Sequence, residues 1–194
     1  MRFPLRHGDT GQAFPIYITV VAGLLFLALA YLAVGQAAVN RSGAQTAADA
    51  AALAAAQDVR DQLAGAWADD LLDPTQWSEI FSGGVDVDDP CGRAADLAAQ
   101  NDARVDSCDW PPLRYTVEVT TNKTVGDSIV PGTEDLKATA SATAVIDSRC
   151  TFRLPGDGDA LPRLTCDGKD WDLNPDDEGS LPQPEDLFDV HLAD

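Results

Sequence analysis

The chain is poor in cations: its 194 residues hold 13 Lys and Arg against 32 Asp and Glu, a formal charge of -19. Nucleic-acid binding draws on clustered Lys and Arg, so that partner class is excluded. Histidine is nearly absent as well. His7 and His191 are the two in the chain, and neither stands where it suggests a base for a Ser or Cys nucleophile. No Gly-rich loop follows a strand pattern to cradle phosphate. Carboxylates are so numerous that no catalytic pair can be singled out. The chain therefore reads as non-enzymatic, and no cofactor is expected. Metal spacing is lacking too, since none of the four cysteines forms a CxxC or Cys-His arrangement of zinc type. Asp170, Asp172, Asn174 and Asp176 alternate as the first ligands of an EF-hand loop do. Pro175 and Leu181 occupy the sixth and twelfth positions, where Gly and Glu belong, and no metal site is assigned.

Charge of either sign is missing from Thr10 through Asn40, and Ile16 to Val34 reads IYITVVAGLLFLALAYLAV. About twenty apolar residues suffice to cross a bilayer as a helix. Arg2 and Arg6 precede this run and a strongly acidic chain follows it, so the positive-inside bias places the N-terminus in the cytoplasm and the remainder outside. Pro15 suits the first helical turn, where a missing amide hydrogen costs nothing. Tyr17 and Tyr31 are candidate interface markers. A signal peptide cleaved at Ala28 to Ala30, "ALA", is the rival reading. The apolar run exceeds the usual signal core of about 7 to 15 residues and favours an anchor.

Beyond the apolar run, nine of the fifteen residues from Gly43 to Gln57 are alanine, the strongest intrinsic helix former. The membrane helix is expected to continue outward through this segment, with Ser42-Gly43 as the place for a kink. Ala52, Ala56, Val59, Leu63, Trp67 and Leu71 then recur at three- and four-residue spacing. A stop is predicted near Asp73-Pro74. From Pro15 to Leu72 such a helix reaches roughly 87 Å at 1.5 Å per residue. Gly43, Ala47, Ala51 and Ala55 form a lane of small residues at four-residue spacing, a helix-packing candidate. That lane serves equally against the chain's own sheet or against another subunit.

Cys91, Cys108, Cys150 and Cys166 all fall on the outer side, where an even number predicts two disulfides. Of the three possible connectivities, Cys91 with Cys108 and Cys150 with Cys166 are favoured because each closes a local loop. Arg93 to Ala103 is a short helix candidate. Tyr115, Val117 and Val119 alternate with polar neighbours as a half-buried strand does, and a second strand is expected at Lys137 to Asp147 with Ala138, Ala140, Ala142, Ala144 and Ile146 on one face. Val125 to Asp135 reads as their connection. From Pro155 onward the chain is rich in Pro, Gly and Asp, and extended or disordered structure is expected beyond about Asn174; Leu187, Phe188, Val190 and Leu192 suit a short docked terminal element, but a frayed tail is the favoured reading.

Gly11-Gln12 before the apolar run, QTAADAAALAAAQ from Gln45 to Gln57, and the pattern Cys91, Ala94, Ala95, Leu97, Ala98, Ala99, Asn101, Ala103, Val105 and Cys108 followed by YTVEVT together resemble the TadE/TadG-like proteins of tight-adherence (Flp) pilus assembly, in their short actinobacterial form. The resemblance covers roughly residues 11–147. It implies a single-pass, pilin-like or pseudopilin-like minor component or assembly factor of a surface fibre or secretion apparatus. Prepilins of this broad kind carry Glu at the fifth position after the cleaved glycine. Here Ile16, or Ala13 for cleavage after Gly8, stands there, so polymerisation through that carboxylate is not implied.

The expected organisation is α+β: a cytoplasmic stub at 1–12, a transmembrane helix at 13–40, an alanine-rich helical extension at 41–73, a small pilin-like extracytoplasmic domain at 74–150 with a short second helix and a small antiparallel sheet, and an acidic, partly disordered region at 151–194. The partners expected are the membrane and, through helix packing, other subunits of a pilus or secretion apparatus. The alternative is a solitary anchored binding module for a wall component, a cation or a protein.

Overall fold

The computed structural model describes residues 13–124, 135–154 and 161–193. The stub at 1–12 and most of the connection expected at Val125 to Asp135 lie outside the described residues. A single helix, α1, runs from Ala13 to Asp69, about 86 Å at 1.5 Å per residue. It passes Ser42 and Gly43 without interruption, although Thr46 Oγ1 donates to the Ser42 carbonyl at 3.0 Å. It stops short of the predicted end. A turn through Leu72 leads to Pro74, and the Asp73 carboxylate accepts from both the backbone and the hydroxyl of Thr75.

Two short helices follow, α2 (Trp77–Phe81) and α3 (Cys91–Gln100). Strands β1 (Ala103–Asp109), β2 (Arg114–Thr121), β3 (Thr139–Ser148) and, from the far end of the chain, β7 (Phe188–Leu192) form one antiparallel sheet in the order β1-β2-β3-β7. Between β3 and β7 the chain builds a second, three-stranded sheet from β4 (Cys150–Phe152), β5 (Leu164–Cys166) and β6 (Lys169–Trp171), then the short helix α4 (Pro184–Leu187).

The period-2 alternation decides which face of the main sheet is buried. Tyr115, Val117 and Val119 of β2 lie opposite Ala144, Ala142 and Ala140 of β3, and α1 packs along this face. The reverse face is polar, with Thr116 and Thr143 hydroxyls 2.9 Å apart. Alanine explains how one helix serves as the spine of the domain. Ala47, Ala48, Ala51, Ala52, Ala55 and Ala56 are all fully buried, and their single methyls let the helix backbone settle close to the strands. α3 packs beside α1 and against β1.

Three expectations are corrected. The helix candidate at Arg93 to Ala103 starts earlier, at Cys91, and ends at Gln100; Asp102, at φ 57°, reverses the chain into β1. The boundary at residue 150 separates nothing, because β4 begins there and β7 completes the main sheet beside β3. The C-terminal segment is ordered where a frayed tail was expected, with Leu187 and Phe188 buried in the core. Arg149 fastens it: its backbone N–H donates to Leu187 O at 2.9 Å, its Nη1 to Glu185 O at 3.0 Å, and its Nε lies 2.8 Å from Asp167 Oδ2. The Asp186 carboxylate accepts from the Gln183 backbone N–H at 2.9 Å, capping α4.

Candidate functional site

The feature with functional content is the division of α1 into two chemically different halves. From Ile16 to Val39 the large apolar side chains stand free: Phe26 is 71% exposed and Tyr31 83%. An 18-residue window in this part averages a hydropathy of 2.4 and none of it is buried in the fold. Water does not tolerate so long an apolar surface on a helix, so this half is built to be covered by something outside the chain. It is long and apolar enough to cross a membrane. At Ala44 the character changes, and the next twenty or so residues place an unbroken series of side chains in the domain core. Four residues, Asn40 to Gly43, separate the last exposed valine from the first buried alanine, a rise of about 6 Å. The domain thus sits directly at the end of the bare half.

The lane of small residues divides at this junction. Ala47, Ala51 and Ala55 come together on the face turned to the chain's own core and are fully buried. Gly43 is exposed, and a Cβ built on it meets nothing within 4 Å. Ala47, Ala51 and Ala55 are thus taken up by the chain's own core, whereas Gly43, and farther along the helix Gln57, Asp61, Gly65 and Ala68, are exposed. Tyr17 and Tyr31 are both strongly exposed in the bare half.

The cysteines are joined as Cys91–Cys108 and Cys150–Cys166, and no described cysteine is free. The first bond ties the start of α3 to β1. The second links residues directly opposed across β4 and β5. At the outer end of α1 an aromatic chain holds the small sheet, α2 and β7 together. Trp67 meets Trp77 at 5.5 Å between ring centroids, Trp77 meets Phe152 at 5.3 Å, and Phe81 meets Phe188 at 5.3 Å. Sequence reasoning included Trp67 in the helical stripe and missed the rest, because contacts between segments so far apart leave no periodic trace.

Chemistry is sparse among the described residues. No three His, Cys, Asp or Glu side chains converge to hold a metal ion. Of the alternating carboxylates, Asp170 accepts from Thr165 Oγ1 at 2.7 Å and faces Arg163 at 3.7 Å. His191 lies on β7, with Nδ1 3.2 Å from Asp189 and Nε2 3.9 Å from Asp147, all three partly exposed. The hydrogen bond from the Thr75 side chain, aided by its backbone, holds the Asp73 carboxyl below its ordinary value against slight desolvation. Burial pushes the Tyr115 phenol above its own.

A groove of about 560 Å³ opens beside the last turns of α1, between Gly65, Ala68 and Leu72 on one side and Leu181 and Pro182 on the other. A smaller cavity of about 170 Å³ lies between Val59, Leu63 and the half-exposed Trp110.

Residues 11–58 match the model of the TadE/G-like Flp pilus-assembly family. The match takes in the whole bare half of α1 and the first half of its buried stretch, and it ends at Asp58, ahead of the Cys91 to Cys108 pattern and the strands. No curated protein and no solved structure matches the chain.

Proposed function

We propose that this chain is a membrane-anchored, non-enzymatic minor component or assembly factor of a tight-adherence type pilus or a related secretion apparatus. The observation that carries the reading is the continuity of α1. One helix is bare and apolar over a membrane's thickness, then becomes the spine of a folded domain with only four residues between. The segment that matches the pilus-assembly family is the segment containing this change of character. Arg2 and Arg6 ahead of the apolar run support a cytoplasmic N-terminus through the positive-inside bias, and the two disulfides suit a domain in the oxidising exterior. A helix that is continuous through the junction links the position of the anchor to that of the domain, which suits a subunit that presents its domain at a set height above the membrane.

Deletion of the gene in the source organism tests this. Surface fibres seen by electron microscopy should be lost or sharply reduced, and wild-type protein recovered in the membrane fraction should restore them. Normal fibres in the deletion strain would reject the assembly role and leave the solitary binding module.

A further inference from the structure

We propose that the groove at the outer end of α1 is a docking site for an apolar, Lys- or Arg-flanked helical segment of another protein. This names a partner class for the assembly reading and rests on it for the setting alone. Three observations select the occupant. First, the floor is apolar and open. Leu72 is 73% exposed, Leu181 and Pro182 face it across the groove, and Gly65 and Ala68 carry so little side chain that an incoming backbone can approach α1 closely. A Cβ on Gly65 meets nothing within 4 Å among the described residues, so none of them fills the space above it.

Second, the charge is of one sign. Among the described residues, Asp61 and Asp69 line the groove and no Lys, Arg or His does. The two stretches that form its walls, residues 61–72 and 175–184, hold three Asp and Glu each and no Lys or Arg. A cationic rim on the partner would be complementary and would be steered to this end. A second copy of the chain would bring another -19 and the same acidic walls, so self-docking is disfavoured. Third, the position excludes the chain's own membrane. Trp67, which lies behind the groove, stands 23 residues past Ala44, about 35 Å farther along the helix.

The test uses the full chain in neutral detergent micelles and a labelled peptide of about 18 residues with Leu at helical i, i+3, i+4 spacing and Lys elsewhere. Comparison peptides are a scrambled Leu/Lys sequence without the stripe and a Leu/Glu version. Fluorescence anisotropy should show binding of the Leu/Lys helix that weakens with salt, and binding of both comparison peptides weaker by about tenfold. Filling the groove with Gly65→Trp, or independently with Ala68→Trp, should cost about tenfold as well, with the helical circular dichroism of the chain unchanged. Asp96→Lys, which alters charge on the exposed side of α3, should shift affinity by less than about twofold. Equal binding of the scrambled peptide, or undiminished binding to both filled variants, overturns the proposal. So does a dimer by sedimentation that Gly65→Trp abolishes. The fibre phenotype is read separately, so loss of peptide binding leaves the assembly role standing.

Discussion

The indole rings of Trp67 and Trp77 meet at 5.5 Å with their planes inclined by 55°, joining the last turns of α1 to α2. Trp77 is fully buried, its Nε1 donates to the Asp70 carbonyl at 3.0 Å, and its other side meets Phe152 edge-on. Trp77→Ala removes the packing and one of two hydrogen bonds to that carbonyl, which keeps the bond from the Asp73 N–H at 2.9 Å; truncating an aromatic residue in a core costs about 3 to 5 kcal/mol. Urea unfolding of the micelle-bound chain, followed by circular dichroism, should show the midpoint fall accordingly. A loss near zero would mean that α2 and the small sheet are not held through this contact.

Gly83 lies against the Leu113 side chain. Both have positive φ, 71° and 60°, and a Cβ on Gly83 would lie 2.9 Å from Leu113 Cγ and Cδ2. Gly83→Ala therefore pays for a left-handed backbone and displaces a leucine that lines the small cavity beside Trp110. The expected loss is about 1 to 3 kcal/mol, read by the same unfolding measurement. Gly65→Ala is the contrast, because its surroundings are open and its backbone is helical. That substitution should stabilise by about 0.4 to 1 kcal/mol.

These contacts mark the limit of what the sequence discloses. The long helix, the two central strands and the local cysteine pairs are legible because each is written in neighbouring residues: an uncharged run, alanine density, alternation through Tyr115, Val117 and Val119. β1 is harder to see, since Ala103 is its one fully buried residue and the register shifts between Val105 and Ser107, which breaks the alternation. The strands of the small sheet are three residues each, too short for any period to show. β7 reads as a tail because its acidic, Pro-rich approach gives no local reason to fold. Its reason is distant: the bonds from Arg149 and the free edge of β3. The groove is likewise invisible in sequence, since its two walls are more than a hundred residues apart.

Cys91–Cys108 and Cys150–Cys166 span sequence separations of 17 and 16. In the chain-entropy view each is worth about 3 kcal/mol. Peptide mapping without reductant should recover these two pairs and no crossed ones. Cys150→Ala with Cys166→Ala should also release the small sheet to proteolysis before the main sheet opens, since β4 and β5 pair over three residues each. Simultaneous cleavage throughout would show that the small sheet has no independent stability.

Tyr115 supplies the pH dependence. Its phenol is buried against the helix and desolvation raises its titration, with a backbone hydrogen bond at Leu113 acting weakly the other way. The fold favours the neutral phenol, so this contribution is fully present below the unfolded value near 10 and is lost as pH rises through the higher folded value. Unfolding of the wild type should therefore become easier as pH climbs above about 10, and Tyr115→Phe should flatten that decline. An unchanged alkaline slope in the variant would assign the loss to other groups.

The bare half of α1 makes the sharpest demand on its surroundings. Leu24 and Leu25 lie near the middle of the apolar run and are about 60% exposed, so neither contributes to the domain's own packing. Substituting Leu24→Lys and Leu25→Lys leaves the domain core untouched and places two charges where a bilayer centre would be, at about 2.5 to 3.5 kcal/mol each. Domain stability and disulfide formation should remain as in the wild type, while the protein should shift from the membrane pellet to the soluble or degraded fraction. A doubly charged variant that still pellets with membranes after alkaline carbonate washing would show that the helix does not cross lipid. The anchor would then have to be sought in contacts with another protein that cover the same apolar surface.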